Sequence, residues 1–214
     1  MTGNREKLAA LLRSGCVIPV LTIERVEDAV PLARALVAGG VRVLEVTLRT
    51  PVAISAAKAI MADVPEAVVG IGTILNAADL ARAQDIGAGF GISPGATPEL
   101  LRAAAASALP FAPGIATASE LMQALAHGFD LVKFFPAEPS GGIKALRALA
   151  GPFPDVRFCP TGGIGEANAA AWLAEPHVVA VGGSWLCPAT DIRSGNWAGI
   201  TAMCNRAMKL LKPA

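Results

Sequence analysis

Asp130-Leu131-Val132-Lys133-Phe134-Phe135-Pro136 sets a single ammonium among apolar neighbours just ahead of a proline. Burial disfavours the charged form of a lysine and lowers its pKa by up to several units. The neutral amine that results is a nucleophile suited to forming a Schiff base with a carbonyl. The bland alternative is a lysine at a strand end that reaches solvent or pairs with Asp130. A second segment, Val43-Leu44-Glu45-Val46-Thr47-Leu48-Arg49, alternates polar and apolar residues. With strand periodicity, Glu45, Thr47 and Arg49 share one face, and Leu44, Val46 and Leu48 the other. The apolar face must meet helices, so the charged face is expected to point into an enclosed interior or toward its mouth. The competing readings are an internal Glu45–Arg49 ion pair and an edge strand with a wet face.

Glycine marks the other places where chemistry is expected. Thr161-Gly162-Gly163-Ile164-Gly165 and Val181-Gly182-Gly183-Ser184 close the last two apolar runs. In barrel enzymes a phosphate commonly sits at the loops after strands seven and eight, held by backbone N–H groups. Thr161 and Ser184 add hydroxyls there, and Gly162, Gly163 and Gly183 let the backbone approach an anion. Gly70-Ile71-Gly72-Thr73 and Ile92-Ser93-Pro94-Gly95 end two further runs at the same mouth. Arg49 offers paired donors to a substrate carboxylate, and Thr73 a hydroxyl; ordinary turns explain the same glycines and Pro94. His127 and His177 lack metal-ligand spacing, and no metal site is expected. Cys16, Cys159, Cys187 and Cys204 show no CxxC spacing and read as buried thiols of a reducing, cytoplasmic setting. Trp172, Trp185 and Trp197 read as helix packing.

The elements that must position these groups alternate along the chain. Strands are expected over Cys16–Leu21, Val41–Thr47, Ala67–Thr73, Gly89–Ser93, Pro110–Ala112, Asp130–Phe134, Val156–Pro160 and Val178–Gly182. Helical patterns lie between them: Val26–Ala38, Pro51–Ala62, Ala77–Ile86, Pro98–Ala106, Ser119–Ala126, Gly142–Leu149 and Glu166–Leu173. Thr50-Pro51 and Thr97-Pro98 look like capped starts, and Thr117 with Glu120 like a capping box. Gly39-Gly40, Gly87 and Gly128 suit left-handed helix ends. Met1 to Leu12 reads as an amphipathic helix with Arg5, Glu6 and Lys7, and Lys209 and Lys212 as the wet side of a last helix. Alternating βα units imply a parallel sheet, either doubly wound or closed. GxGxxG is absent from the first turn, and polar groups inside strands favour closure. The expectation is a single α/β domain over residues 1–214, a (βα)8 TIM barrel with an extra N-terminal helix.

Composition narrows the function classes. The 214 residues are 53% hydrophobic and 16% charged, with net charge +1. A chain this apolar is not disordered, and one so nearly neutral lacks the field for nucleic acid or a membrane surface. Ala103–Ser119, the longest uncharged run, is short for a membrane span and carries Pro110 and Pro113.

Six motifs together resemble one family. LEVTLRT (Leu44–Thr50), GIGT (Gly70–Thr73), SPG (Ser93–Gly95), KFFPAE (Lys133–Glu138), CPTGGI (Cys159–Ile164) and GGSWL (Gly182–Leu186) look like the bifunctional KDPG/KHG aldolases. These are class I, Schiff-base pyruvate aldolases of the Entner–Doudoroff route. The resemblance covers essentially the whole chain, and LEVTLRT favours the gluconate branch over the 6-phosphogalactonate aldolases. It implies a homotrimer of (βα)8 barrels acting on a phosphorylated keto acid without a cofactor. It also implies roles: Lys133 forms the imine, Glu45 is the acid/base, Arg49 and Thr73 hold the pyruvate carboxylate, and Pro94 and Phe135 line that pocket. Gly162, Gly163 and Ser184 match the phosphate region. Ile71 and Ala96 depart from the usual residues and bear on pocket shape. The alternatives are a galactonate-type aldolase, an oxaloacetate decarboxylase using the same imine, and a non-catalytic sugar-phosphate-binding barrel.

Overall fold

Parallel strands covered on both faces must be apolar throughout, save where the interior needs polar groups. Such strands and their intervening helices make up the computed structural model, which describes residues 2–211, with side chains from 6 to 209. The order is α1 (Thr2–Gly15), β1 (Val17–Leu21), α2 (Val26–Ala38), β2 (Val43–Thr47), α3 (Ala53–Asp63), β3 (Val68–Gly72), α4 (Ala77–Asp85), β4 (Phe90–Ile92) and α5 (Pro98–Ala106). There follow β5 (Phe111–Ala112), β6 (Gly114–Ile115), α6 (Ala118–Ala126), β7 (Leu131–Phe134), α7 (Gly142–Ala150), β8 (Arg157–Pro160), α8 (Ala169–Leu173), β9 (Val181–Gly183), α9 (Ala189–Ser194) and α10 (Trp197–Leu211). Six strands form a parallel half-barrel in the order β5-β4-β3-β2-β1-β9, and β6-β7-β8 form a second parallel sheet. Isolated bridges from Phe158 to Val178 and from Thr161 to Gly182 link β8 to β9 and its approach.

Side chains alternate between two packing layers. Leu44 and Val46 of β2, Val132 and Phe134 of β7, and Phe158 of β8 belong to the outer layer against the helices. Val43, Phe90, Ile92, Ala112, Leu131 and Cys159 turn inward, where Leu8, Ala9 and Leu12 of α1 pack against them. The helix α1 therefore plugs the interior with three apolar side chains while Glu6 and Lys7 stay exposed. Removing such a plug residue is costly: truncating a fully buried leucine to alanine removes about 2–5 kcal/mol. Lys133 and Glu45 occupy inward positions one alternation above this layer, so the interior is apolar below and charged at its centre.

Local signals decide several element ends. The Thr97 hydroxyl caps α5 by accepting from the Leu100 amide, and Thr117 with Glu120 forms a full capping box on α6. Gly40, Gly87 and Gly128 take positive φ at helix ends, as their positions imply. Other expectations fail. The proposed Thr50-Pro51 cap does not form: α3 begins at Ala53, and the Thr50 hydroxyl donates instead to the Ile23 carbonyl at 2.6 Å. The strand expected over Pro110–Ala112 continues past Pro113 as β6, because proline interrupts the ladder without ending the extended path. Val178–Ala180 makes one bridge before the last strand starts at Val181. Helix α8 starts at Ala169, three residues after Glu166, because the Asn168 side chain ties down the preceding turn. Cys16 has a positive φ and lies outside β1. Lys209 is exposed on α10, while Lys212 lies outside the described residues.

Candidate active site

Glu45 and Lys133 come from the centres of β2 and β7 and meet across the interior. Lys133 Nζ donates to Glu45 Oε1 at 3.1 Å and approaches Oε2 at 3.5 Å. Both residues are almost wholly buried, at 3% and 1% exposure. The two alternative pairings are absent among the described residues: Asp130 accepts from Arg157 at 2.9 Å, and Arg49 makes no ion pair with Glu45. Burial matches the sequence expectation, but the amine is not isolated. A carboxylate sits in contact with it, so a proton leaving Nζ has an acceptor at hydrogen-bond distance. The Phe135 ring lies under the amine, its centroid 5.3 Å from Nζ.

Two glycines allow close packing in the strands beside this pair. Gly72 stands opposite Thr47 in the β2–β3 ladder, and a Cβ there would overlap the Glu45 carboxylate. Gly114 stands opposite Lys133, and a Cβ there would overlap the Pro94 backbone. Ser93, fully buried, accepts from the Gly114 amide at 3.2 Å and ties the end of β4 to β6. Thr47 donates to the Leu21 carbonyl at 2.8 Å and so braces β2 against β1. Thr73, directly after Gly72, has φ +60°. A β-branched residue in the left-handed region is strained by about 1–3 kcal/mol, and such strain concentrates at functional sites.

Beside the pair opens a cavity of about 350 Å³. Of the sequence-predicted residues, Arg49, Phe135, Thr161, Gly162, Gly163, Gly183 and Ser184 line it. Lys133, Glu45, Thr73 and Pro94 do not: the Phe135 ring, 5.3 Å from Lys133 Nζ, connects the pair to this wall, and Thr73 and Pro94 stand at the ends of β3 and β4. Arg49 is also not on the Glu45 face of a strand. Strand β2 ends at Thr47, so the alternation stops short and Arg49 lies exposed in the following turn. Gly162 and Gly163 both have positive φ, at 102° and 78°, a backbone that favours glycine and presents amides to an anion. Thr161 Oγ1 is buried and makes no well-formed hydrogen bond. Sequence reasoning missed Val20, Thr22 and the α9 residues Ala189 and Ile192 in this wall. Pro188 followed by Asp191 in a first turn is the signal that could have disclosed α9.

The remaining titratable groups stay outside this chemistry. Burial pushes the Cys159 thiol up to about 12, with smaller opposing effects from Lys133 and Thr161. Burial likewise raises Cys187 to about 12 and Cys204 to about 11. His127 and His177 each place Nδ1 against a backbone carbonyl, at 2.8 and 3.2 Å. Among the described residues no three His, Cys, Asp or Glu gather as metal ligands, and no helix is long and apolar enough to cross a membrane. Trp172 is fully buried against Phe134, as its packing role implies.

Known proteins resemble this chain over nearly their full length. The family model described as KDPG and KHG aldolase matches residues 8–203. The KHG/KDPG aldolase of Escherichia coli K12 is 52% identical over 200 residues, 94% of each chain. The KDPG aldolase of Legionella pneumophila, solved with pyruvate captured as a covalent carbinolamine, is 47% identical with TM-score 0.91, covering 93% of this chain and 97% of that one. The corresponding aldolase of Zymomonas mobilis ZM4, solved with 3-phosphoglycerate, is 48% identical with TM-score 0.91 over 98% of both chains. Sequence motifs, fold and relatives agree, and the chain belongs to the KDPG and KHG aldolase family.

Proposed function

We propose that the chain is a class I aldolase that cleaves 2-dehydro-3-deoxy-6-phosphogluconate to pyruvate and glyceraldehyde 3-phosphate, and that it also acts on 4-hydroxy-2-oxoglutarate. The observation that carries this reading is the buried Lys133–Glu45 contact at 3.1 Å beside a glycine-lined cavity. A proton passes from Nζ to Glu45, and the free amine attacks the C2 ketone to give a carbinolamine. Glu45 returns that proton to the carbinolamine hydroxyl, which leaves as water; a protonated imine remains, which is an electron sink. Glu45, directly or through a water, takes the C4 hydroxyl proton; the C3–C4 bond breaks and its electrons pass into the imine as an enamine. Glyceraldehyde 3-phosphate leaves, Glu45 returns a proton to C3, and water releases pyruvate. A positioned acid/base contributes on the order of 10²–10⁴ in rate. The imine supplies the electron sink itself, so the written reaction uses no metal or organic cofactor.

The remaining assignments belong to the same reading. Arg49 and Thr73 hold the keto-acid carboxylate, Pro94 and Phe135 wall the pyruvate end, and Thr161, Gly162, Gly163, Gly183 and Ser184 take the phosphate. Phosphate binding lies away from the breaking bond, so its energy can position the substrate. The described residues form a single domain, one closed (βα)8 barrel preceded by α1. The β8–β9 bridges, and the single extended path of β5 and β6 across Pro113, support closure. The family resemblance adds a cytoplasmic homotrimer, which sedimentation tests. The catalytic reading is tested by supplying the phosphorylated substrate and coupling pyruvate release to lactate dehydrogenase. Steady release, faster on the gluconate than on the galactonate epimer, is expected. Binding without release would replace the enzyme by a sugar-phosphate-binding barrel, and the opposite epimer preference would replace the substrate.

A further inference from the structure

Glu138 closes the KFFPAE motif, yet the reaction gives it no task. It lies in the turn between β7 and α7, where its Oε1 accepts from Trp172 Nε1 at 2.8 Å and from Asn168 Nδ2 at 3.0 Å. Asn168 works in two directions. Its Nδ2 also donates to the Gly163 carbonyl at 3.2 Å, and its Oδ1 accepts from the Gly165 amide at 2.8 Å. The backbone of the same turn adds Ala137 N–H to the Thr161 carbonyl at 2.8 Å and Glu138 N–H to the Gly162 carbonyl at 3.0 Å. Carbonyls of Thr161, Gly162 and Gly163 are thus all drawn to one side. Turning those carbonyls inward leaves the other side of the loop to amides. Among the described residues neither the Gly163 nor the Ile164 N–H has an acceptor. The loop also rests directly on Glu138: a Cβ at Gly163 would stand 2.6 Å from Glu138 Cβ and 2.7 Å from Cγ.

We infer that Glu138 and Asn168 are positioning residues that hold the Gly162–Gly163 loop in its anion-binding shape, and so set affinity for the phosphate end of the substrate without acting on the imine. The inference rests on the aldolase reading for the identity of that anion. Trp172 is the fixed post of the device, being fully buried in the helix layer. Glu138 links this post to Asn168, and Asn168 clips both sides of the loop.

Asn168→Asp is the informative variant. It keeps the acceptor for the Gly165 amide but removes both donations and sets a carboxylate against Glu138 Oε1 and the Gly163 carbonyl. Glu138→Gln is the conservative partner, since its amide oxygen can still accept from Trp172 and Asn168. For Asn168→Asp, KM for the phosphorylated substrate and the inhibition constant of inorganic phosphate are expected to rise about tenfold or more, the loss of one to two hydrogen bonds. Its kcat, and the rate of borohydride trapping with pyruvate alone, should stay within about twofold of wild type. Glu138→Gln should behave as wild type on all these readings. Unchanged KM and phosphate inhibition in Asn168→Asp would overturn the inference. So would a parallel fall in kcat, trapping and melting temperature, which marks a merely structural tie. If wild type fails to cleave the phosphorylated substrate, the aldolase reading falls instead. Direct titration with inorganic phosphate then decides the loop: equal binding by wild type and Asn168→Asp overturns it, and weaker binding by the variant supports it.

Discussion

Gly72→Ala places one methyl group where the account leaves no room. The new Cβ would stand 2.6 Å from Glu45 Cγ and 2.7 Å from Cδ. Carbon atoms settle at about 3.5–4.0 Å, so the carboxylate must retreat by roughly 1 Å. The β3 backbone cannot yield instead. Gly72 is paired with Thr47, and its carbonyl accepts from Leu48 N–H at 2.9 Å. The whole displacement therefore falls on Glu45 and breaks its 3.1 Å contact with Lys133. A misplacement of about 1 Å at a reacting group can cost on the order of 10²-fold in rate, which corresponds to about 2.7 kcal/mol of barrier. Overpacking should also destabilise the fold by about 1–3 kcal/mol, so kcat is to be measured well below the melting transition by coupled pyruvate release. Gly151→Ala serves as the control, since its added methyl meets only atoms at 3.7 Å or beyond. A folded Gly72→Ala enzyme with kcat within about twofold of wild type would refute the argument that this glycine exists to seat Glu45.

Four further outcomes follow from the same structure. Glu45→Gln should keep imine trapping by borohydride but lose about 10²–10⁴ in turnover; unchanged turnover removes Glu45 from proton transfer. Hydrogen bonds from Arg147, at 2.9 and 2.6 Å, hold the Glu175 carboxyl below its usual range. A lowered folded pKa means stability present above the unfolded value and lost as pH falls through the folded one. The stability gap between wild type and Arg147→Met, followed by denaturant melts, should be constant above about pH 5 and shrink below about 4.3. Burial holds Cys159 and Cys187 protonated to about 12, whereas unfolded thiols ionise near 8.5. The unfolded state then binds fewer protons, so stability should fall as pH rises above about 8.5. The Cys159, Cys187 and Cys204 thiols should resist a thiol reagent at pH 8 until the chain is unfolded, and prompt labelling of the native enzyme would contradict their burial.

Much of this was legible in the chain because strands that must bury both faces leave charged residues conspicuous. Lys133 and Glu45 could be read as inward-facing from their neighbours, since Leu44, Val46, Val132 and Phe134 demanded helices on the other side. Their mutual contact could not, because nothing local relates β2 to β7. Arg49 shows where periodicity misleads: alternation holds only while the strand lasts, and β2 ends two residues earlier. The capping box at Thr117 and Glu120 was legible because both partners lie within one turn. The Thr50 hydroxyl instead found a carbonyl 27 residues away, a competitor that no local rule anticipates. The strand expected over Pro110–Ala112 ended before Pro113, yet the path resumes at Gly114, the residue that stands opposite Lys133. Gly72 could pass for a turn former and Gly114 gave no signal at all; only tertiary packing reveals them as space left for a carboxylate and a neighbouring backbone.

The central claim is that the Lys133 amine becomes covalently bound to the keto acid. Incubation with pyruvate and borohydride, followed by peptide mass spectrometry, tests it in one step. The account predicts that the peptide carrying Lys133 gains the mass of a reduced pyruvate imine and that activity is lost in proportion. An unmodified Lys133, or modification of a different lysine accompanying the loss of activity, would contradict it.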